Sequence, residues 1–300
     1  MSTTFSKVPN LSFEFVLLGL LAFLWGSSYL LIKVAVETIP PFTLIAVRVA
    51  IAAIFLLSVM WGQGARLPTD GKTWRMLLVQ SFFNSIAAWT VLAWGQQYVD
   101  SGLAGVLNST SPIFVFFITL LFTRHETTSG RKLAGALLGV TGVVLIVGVD
   151  VLRGLGQEVA AQLAVLVGAF LYAGAAIHGK RFSHLSPTVT AAGTMICATA
   201  CLVPLSVVLD RPWTLSPSPL SLLSAVALAI FCTGGALLLY FRLVRTLGSM
   251  GVASQSYLRA GVSVLLGVIV LGEQITAVIG LGLLATILGV AAINMPSRTR

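Results

Sequence analysis

Gly102-Leu-Ala-Gly-Val106 returns 146 residues later as Gly248-Ser-Met-Gly-Val252, and this pair decides how the chain is read. Around it, at offsets of 146–147, Lys33 falls on Lys180, Pro40 on Pro187, Glu126 on Glu273, Gly135 on Gly282 and Gly142 on Gly289. Identity is sparse, and glycines coincide by chance. Aligned charges together with an aligned hydropathy profile do not coincide so easily. The chain reads as two repeats, residues 1–150 and 151–300.

Of the 300 residues, 57% are hydrophobic and 9% charged. A soluble domain holds about 45–50% apolar and about 25% charged residues, so soluble enzymes, secreted domains and disordered chains are excluded. Apolar runs occupy 13–34, 42–61, 74–96, 102–122, 131–149, 160–179, 187–209, 220–241, 249–271 and 275–294. A helix needs about 20 such residues to cross about 30 Å of hydrocarbon. The runs lack the two-residue alternation of a barrel, so they are helices that satisfy their own backbone. The predicted fold is all-α and polytopic, with ten transmembrane helices. The first run is too long, and too poor in a cleavage pattern, to be a removed signal.

Ten helices in two repeats leave five in each. An odd number makes the second half enter the membrane from the opposite side, an inverted-topology repeat of the kind found in secondary transporters. The net charge of +9 supports an orientation more than a partner. With the N-terminus inside, inner segments hold Lys7, Arg66, Lys72, Arg75, Arg124, Arg131, Lys132, Lys180, Arg181, Arg242, Arg245, Arg298 and Arg300. Outer segments hold only Lys33, Arg153 and Arg211, which predicts cytoplasmic termini. Charges spread so thinly over short loops do not suit nucleic acid.

Trp25-Gly-Ser-Ser-Tyr followed by Lys33 resembles the opening of EamA-type proteins of the drug/metabolite transporter superfamily. So do Gly102-Leu-Ala-Gly-Val-Leu-Asn-Ser-Thr-Ser-Pro112 through Glu126, the glycine run Gly135–Gly142, and Gly251-Val-Ala-Ser-Gln-Ser-Tyr257 through Gly272-Glu273. The likeness covers about residues 13–294 and rests on order and spacing. Among members of known activity it is nearest the bacterial amino-acid exporters, including the aromatic amino-acid exporter. The resemblance implies a bacterial inner-membrane protein with both termini cytoplasmic that carries small metabolites outward.

Polar residues at depth are the candidates for a path. Arg259 stands about ten residues into the ninth run, or about 15 Å at 1.5 Å per residue. A cation there costs at least about 2.5–3.5 kcal/mol unless paired or hydrated. It either receives a substrate carboxylate in a wet cavity or bonds helix-end carbonyls. Arg48, about six residues into the second run, reads as an anchor that snorkels outward. Asn108 and Ser111 share a helical face with Val115 and Thr119, and their repeat mates are Ser254 and Tyr257. Two such stripes make either a central pocket or interhelical glue. Pro112 breaks the fourth helix and frees a carbonyl beside the stripe. Asn84 is a further polar candidate, and Trp25, Trp89, Tyr172 and Tyr257 offer aromatic faces to a cation or ring. Lys33 and Lys180 sit at opposite mouths as gate candidates, and His178 lies near the inner end.

What is missing narrows the chemistry. Every carboxylate lies at a span end or in a loop, Glu14 included. Relatives in the small multidrug-resistance group use a glutamate within the first helix to trade protons for cationic drugs, so that centre is absent here. Gly174-Ala-Ala-Ile-His-Gly179-Lys180 imitates a phosphate loop but continues with Arg181 inside a helix. No Gly-x-Ser-x-Gly, HExxH or pair of buried aspartates supports an intramembrane enzyme. Cys197, Cys201 and Cys232 lie in apolar runs and form no CxxC, so no metal or cofactor is expected. The expectation is a monomeric transporter in the lipid bilayer, not an enzyme. It exports amino acids of broad selectivity by alternating access, with hydrophobic drugs or other metabolites as the alternative cargo.

Overall fold

A computed structural model describes residues 11–122, 130–153, 156–253 and 255–294. Among them the helices group into ten passes. The first four are Leu11–Ala35, Pro41–Gly62, Gly71–Gly95, and a broken fourth made of Ser101–Asn108 and Ser111–Phe122. Gly130–Arg153 is the fifth pass, Gln157–Gly179 the sixth and Pro187–Leu209 the seventh. The eighth runs through Pro219–Ala229, Ile230–Gly235 and Ala236–Ala253, followed by Gln255–Leu271 and Ala277–Asn294. Seven helical segments are long and apolar enough to cross a membrane, and Leu258–Leu271 and Ala277–Ala292 are shorter apolar helices. Exposed Ile54, Leu121, Val144, Val208 and Leu281 belong to a lipid-facing belt.

Local chemistry starts these helices where the sequence changes. Pro41, Pro187 and Pro219 each stand in the first turn, where a missing N–H costs nothing. Asp70, Ser186 and Ser218 cap their own helices, accepting from the amides of Thr73, Val189 and Ser221. Gly64 and Gly272 end the second and ninth passes at φ of 67° and 68°, a left-handed backbone that other residues resist.

The packing maps onto itself when the halves are exchanged. The first pass lies against the eighth and ninth, as the sixth lies against the third and fourth. The second packs on the eighth as the seventh packs on the third, while two with seven, four with nine and five with ten are self-paired. A π-helical turn at Phe82–Ile86 in the third pass is matched by another at Ile230–Gly235 in the eighth. The inverted five-helix repeat is therefore present in the packing as well as in the sequence.

Two details differ from the sequence reading. A turn is expected between 241 and 249, but helix continues from Ala236 to Ala253. No proline stands there, and Gly248 alone weakens a helix without breaking it. The stripe from Asn108 to Ser111 assumes one continuous helix, whereas Ser109 and Thr110 form a turn. Pro112 has no N–H for the Asn108 carbonyl, and the Ser109 and Thr110 hydroxyls fold back onto the Gly105 and Leu107 carbonyls instead.

The fifth and tenth passes make the closest approach. A Cβ on Gly289 would lie 2.4 Å from the Gly139 amide nitrogen and 2.5 Å from the Gly135 carbonyl oxygen. Those neighbours are backbone and cannot rotate away. We expect Gly289→Val to destabilise the protein by about 1–3 kcal/mol or more, the range for overpacking. Gly19→Val, where nothing lies within 4 Å, should leave it unchanged. Thermal unfolding of both variants in detergent checks this.

Candidate functional site

The centre of the bundle is organised around Arg48. It is 5% exposed, and its guanidinium carbon lies 3.7 Å from the centroid of the Trp89 ring. Its Nε donates to Thr233 Oγ1 at 2.8 Å. The π-turn explains why Thr233 is available. Thr233 lies within this turn, and its hydroxyl donates to the Leu228 carbonyl at 2.9 Å while accepting from Arg48. Trp89 in turn donates its indole N–H to the Tyr172 hydroxyl. Four passes thus meet at one cation. The anchor reading of Arg48 is corrected: its face turns into the bundle toward the third and eighth passes. Its depth along the helix said nothing about that.

Tyr29, 2% exposed, borders this group and accepts a hydrogen bond from Asn108 Nδ2 at 2.7 Å. Asn108 Oδ1 is buried without a partner. Tyr29 and Tyr172 both lie within electrostatic reach of Arg48, and Tyr172 is also within reach of Arg259. Arg259 is half-buried in the ninth pass, and its Nε is buried with no hydrogen-bond partner. Among the described residues neither arginine meets a carboxylate, since the one such ion pair joins Arg242 to Glu14 at 3.1 Å. Two cations in a low-dielectric bundle without counterions cost at least about 2.5–3.5 kcal/mol each at the bilayer centre. Cation–π contact with Trp89 offsets part of this for Arg48, about 0.5–2 kcal/mol.

The other expected residues divide by position. Trp89, Tyr172, Asn108 and Arg259 come together. Trp25 does not: it packs on Tyr240 with ring centroids 5.4 Å apart, in a satellite cluster with Leu18, Leu21 and Ala236. Asn84 sits in the π-turn of the third pass and donates to Ser85. Ser111 is the half-buried first residue after the break, followed by Pro112. Ser254 and the side chain of Tyr257 lie outside the described residues, as does Glu126. His178 meets Gln80 Oε1 at 3.2 Å and stacks edge-on with Phe182, a local packing role. Lys180 is exposed in a short turn. Tyr29 and Thr233 escaped the sequence reading, in which Arg48 is an anchor. Tyr29 stood in plain sight within Trp25-Gly-Ser-Ser-Tyr.

One end of the bundle is clasped shut. Glu273 reaches back from the end of the ninth pass and accepts from the amides of Ser101 at 2.6 Å and Gly102 at 2.9 Å. Asp210 does the same for the second pass, accepting from the Thr43 amide at 2.8 Å and its hydroxyl at 2.9 Å. Each carboxylate comes from the second half and caps a helix of the first, where the macrodipole favours it. Lys33 donates to the Val99 carbonyl at the same end. Burial pushes the neighbouring Asp100 carboxyl above the ordinary aspartate range, with the Glu273 charge adding to the shift. Away from this clasp the ninth pass packs on Ser101–Asn108 but hardly on Ser111–Phe122, so passes four and nine part company.

With this geometry in place, comparison with known proteins is informative. The EamA-like transporter family matches residues 13–148 and again 159–295. An "uncharacterized inner membrane transporter YedA" of Escherichia coli (strain K12) is 27% identical over 274 residues, 91% of this chain and 87% of that one. An "uncharacterized transporter" of Archaeoglobus fulgidus is 26% identical over 281 residues, 92% and 95% of the two chains. A solved crystal structure with 19% identity and a TM-score of 0.66 spans 94% of this chain and 97% of its own, and it shares the fold.

Thr233→Val keeps the shape but strips the hydroxyl that links Arg48 to the Leu228 carbonyl. The expected loss is about 1–3 kcal/mol, because a buried donor and acceptor both go unpaired. Thr233→Ser should recover most of it. Heat unfolding of the two variants side by side decides whether this link is made.

Proposed function

The chain belongs to the EamA-like transporter family, and from that membership we propose that it exports amino acids of varied side chain across the inner membrane by alternating access. The observation that carries the proposal is Arg259. Its guanidinium is half-buried within a membrane pass, has no ion-pair partner among the described residues, and lies within electrostatic reach of Tyr172. A cation kept there without a counterion is a seat for a carboxylate supplied from outside the protein. Asn108 and Ser111 are the polar groups we assign to the same site. Aromatic faces and the carbonyl freed at Pro112 meet the ammonium. A site that reads the amino-acid backbone in this way discriminates poorly among side chains. The same two arginines repel cationic drugs, which argues against the small multidrug-resistance mode of transport.

In this reading the clasped end faces outward and both termini are cytoplasmic, following the distribution of Lys and Arg. Asp210 and Glu273 close the outer mouth with a few hydrogen bonds that can be exchanged for water when the halves rock. Lys33 belongs to that outer gate and Lys180 to the inner mouth. Without a carboxylate at mid-depth, facilitated efflux down a concentration gradient suits the site at least as well as proton exchange.

Amino-acid flux in proteoliposomes is the direct test. Several amino acids should move, and Arg259→Ala should lower the flux by about ten- to a hundredfold, as loss of a charge-assisted hydrogen bond implies. Flux that survives in the folded variant would make Arg259 a structural residue. Absence of amino-acid flux would point instead to other metabolites. Facilitated efflux also predicts no alkalinisation inside vesicles when substrate is added.

Alternating access gives a second expectation. With Cys197 and Cys201 replaced by Ala, Cys232 beside Arg48 is the remaining thiol. Asp210→Ala combined with Glu273→Ala should raise its labelling by a membrane-impermeant thiol reagent added from the clasped side. Unchanged labelling would sink the gate assignment.

A further inference from the structure

We propose that Arg48 is a second anion seat beside Arg259, so that the site takes small molecules bearing two anionic groups in preference to zwitterions bearing one. The inference rests on the transport reading above and names the charge class of its substrate.

The argument begins with how Arg48 is held. Its Nε is committed to Thr233 and one face of its guanidinium to Trp89. Among the described residues no hydrogen bond or ion pair occupies its two terminal nitrogens, and neither is a fully enclosed polar atom. A guanidinium with a fixed plane, a fixed inner edge and an open outer edge is arranged to meet a planar anion bidentately. A purely structural arginine would instead spend its outer nitrogens on helix-end carbonyls or a carboxylate. The cost of holding Arg48 in this way is visible elsewhere, in a π-turn that presents Thr233 and in a Trp89 locked onto Tyr172.

Arg259 is the second pole. Tyr172 lies within electrostatic reach of both guanidinium groups. Tyr172, Cys232 and Tyr29 lie within electrostatic reach of Arg48, and among the described residues no carboxylate pairs with it. A zwitterion brings one negative and one positive group into a field of two cations, so its ammonium is repelled as its carboxylate is drawn in. A solute with two anionic groups neutralises both cations. Neither arginine has a repeat mate of like charge, for Arg48 falls on Met195 and Arg259 on Ile113. The pair is therefore not a by-product of the duplicated frame.

The test is a flux panel in proteoliposomes containing the full chain, with leucine, lysine, glutamate, succinate and glycerol phosphate each supplied as radiolabel. The expected result is that glutamate, succinate or glycerol phosphate moves at least about tenfold faster than leucine, and that lysine does not move. Arg48→Gln should abolish that preference, lowering anion flux at least about tenfold relative to leucine flux in the same vesicles, and Arg48→Lys should restore part of it. Leucine carried as fast as the anions by the wild type, or an anion preference intact in Arg48→Gln, overturns the inference and leaves amino-acid export standing. Flux of succinate or glycerol phosphate without any amino acid overturns the amino-acid assignment and upholds the two-seat site, with the two probes separating dicarboxylates from phosphate esters. Should Arg48→Gln fail to fold, the wild type alone still decides. Millimolar glutamate, succinate or glycerol phosphate should raise its melting temperature in detergent, and leucine should not. Equal shifts from all four would refute the preference.

Discussion

An amide at the start of a helix has no water to turn to once it lies at the edge of hydrocarbon, and the closed end of this bundle is built around that deficit. Glu273 fills the start of the fourth pass and Asp210 the start of the second, each reaching across from the other half. Neither helix is complete alone. The clasp therefore couples two requirements that would otherwise be separate, satisfaction of the backbone and contact between the repeats. Opening this end exposes the amides of Ser101, Gly102 and Thr43, which only water or a new acceptor can then serve.

The centre follows from a different use of backbone irregularity. Two π-turns and one proline-dependent break interrupt the third, eighth and fourth passes at related depths. Each interruption frees a carbonyl or re-aims a side chain where a regular helix would present only its apolar flank. Thr233 is the clearest case. Its hydroxyl donates to the Leu228 carbonyl and at the same time positions Arg48. Removing the bulge would leave the arginine with an aromatic face and no polar support.

Much of the fold was legible in the chain, and the reasons are physical. Ten apolar runs are long because hydrocarbon is thick, and the repeat shows in Lys33 and Lys180 or Glu126 and Glu273 because charges are rare here. The site was legible only in part. Arg259, Asn108, Trp89 and Tyr172 stand out as polar or aromatic residues at depth. Arg48 was misjudged because distance along a helix fixes depth but leaves open which neighbour its face meets. Thr233 gave no signal, since a π-turn is decided by packing between helices and not by local composition. The continuation of helix from Ala236 to Ala253 was missed for the opposite reason: the apolar run pauses around Arg242 and Arg245, and a gap in hydropathy is not a gap in the helix.

The glycine seam between the fifth and tenth passes carries a consequence for ancestry. At Gly139, Gly142, Gly282 and Gly289 the two helices touch backbone to backbone, and each is the last helix of its half. Such a surface would join two separate five-helix chains just as well as two halves of one. The molecule is in effect an antiparallel dimer made continuous by the short connection after Arg153. Fusion lifts a constraint that a true homodimer obeys, in which every mutation appears twice. Once the copies share a chain, an arginine can enter one half while methionine or isoleucine holds the matching place in the other. A symmetric frame can then enclose a charge distribution with a direction.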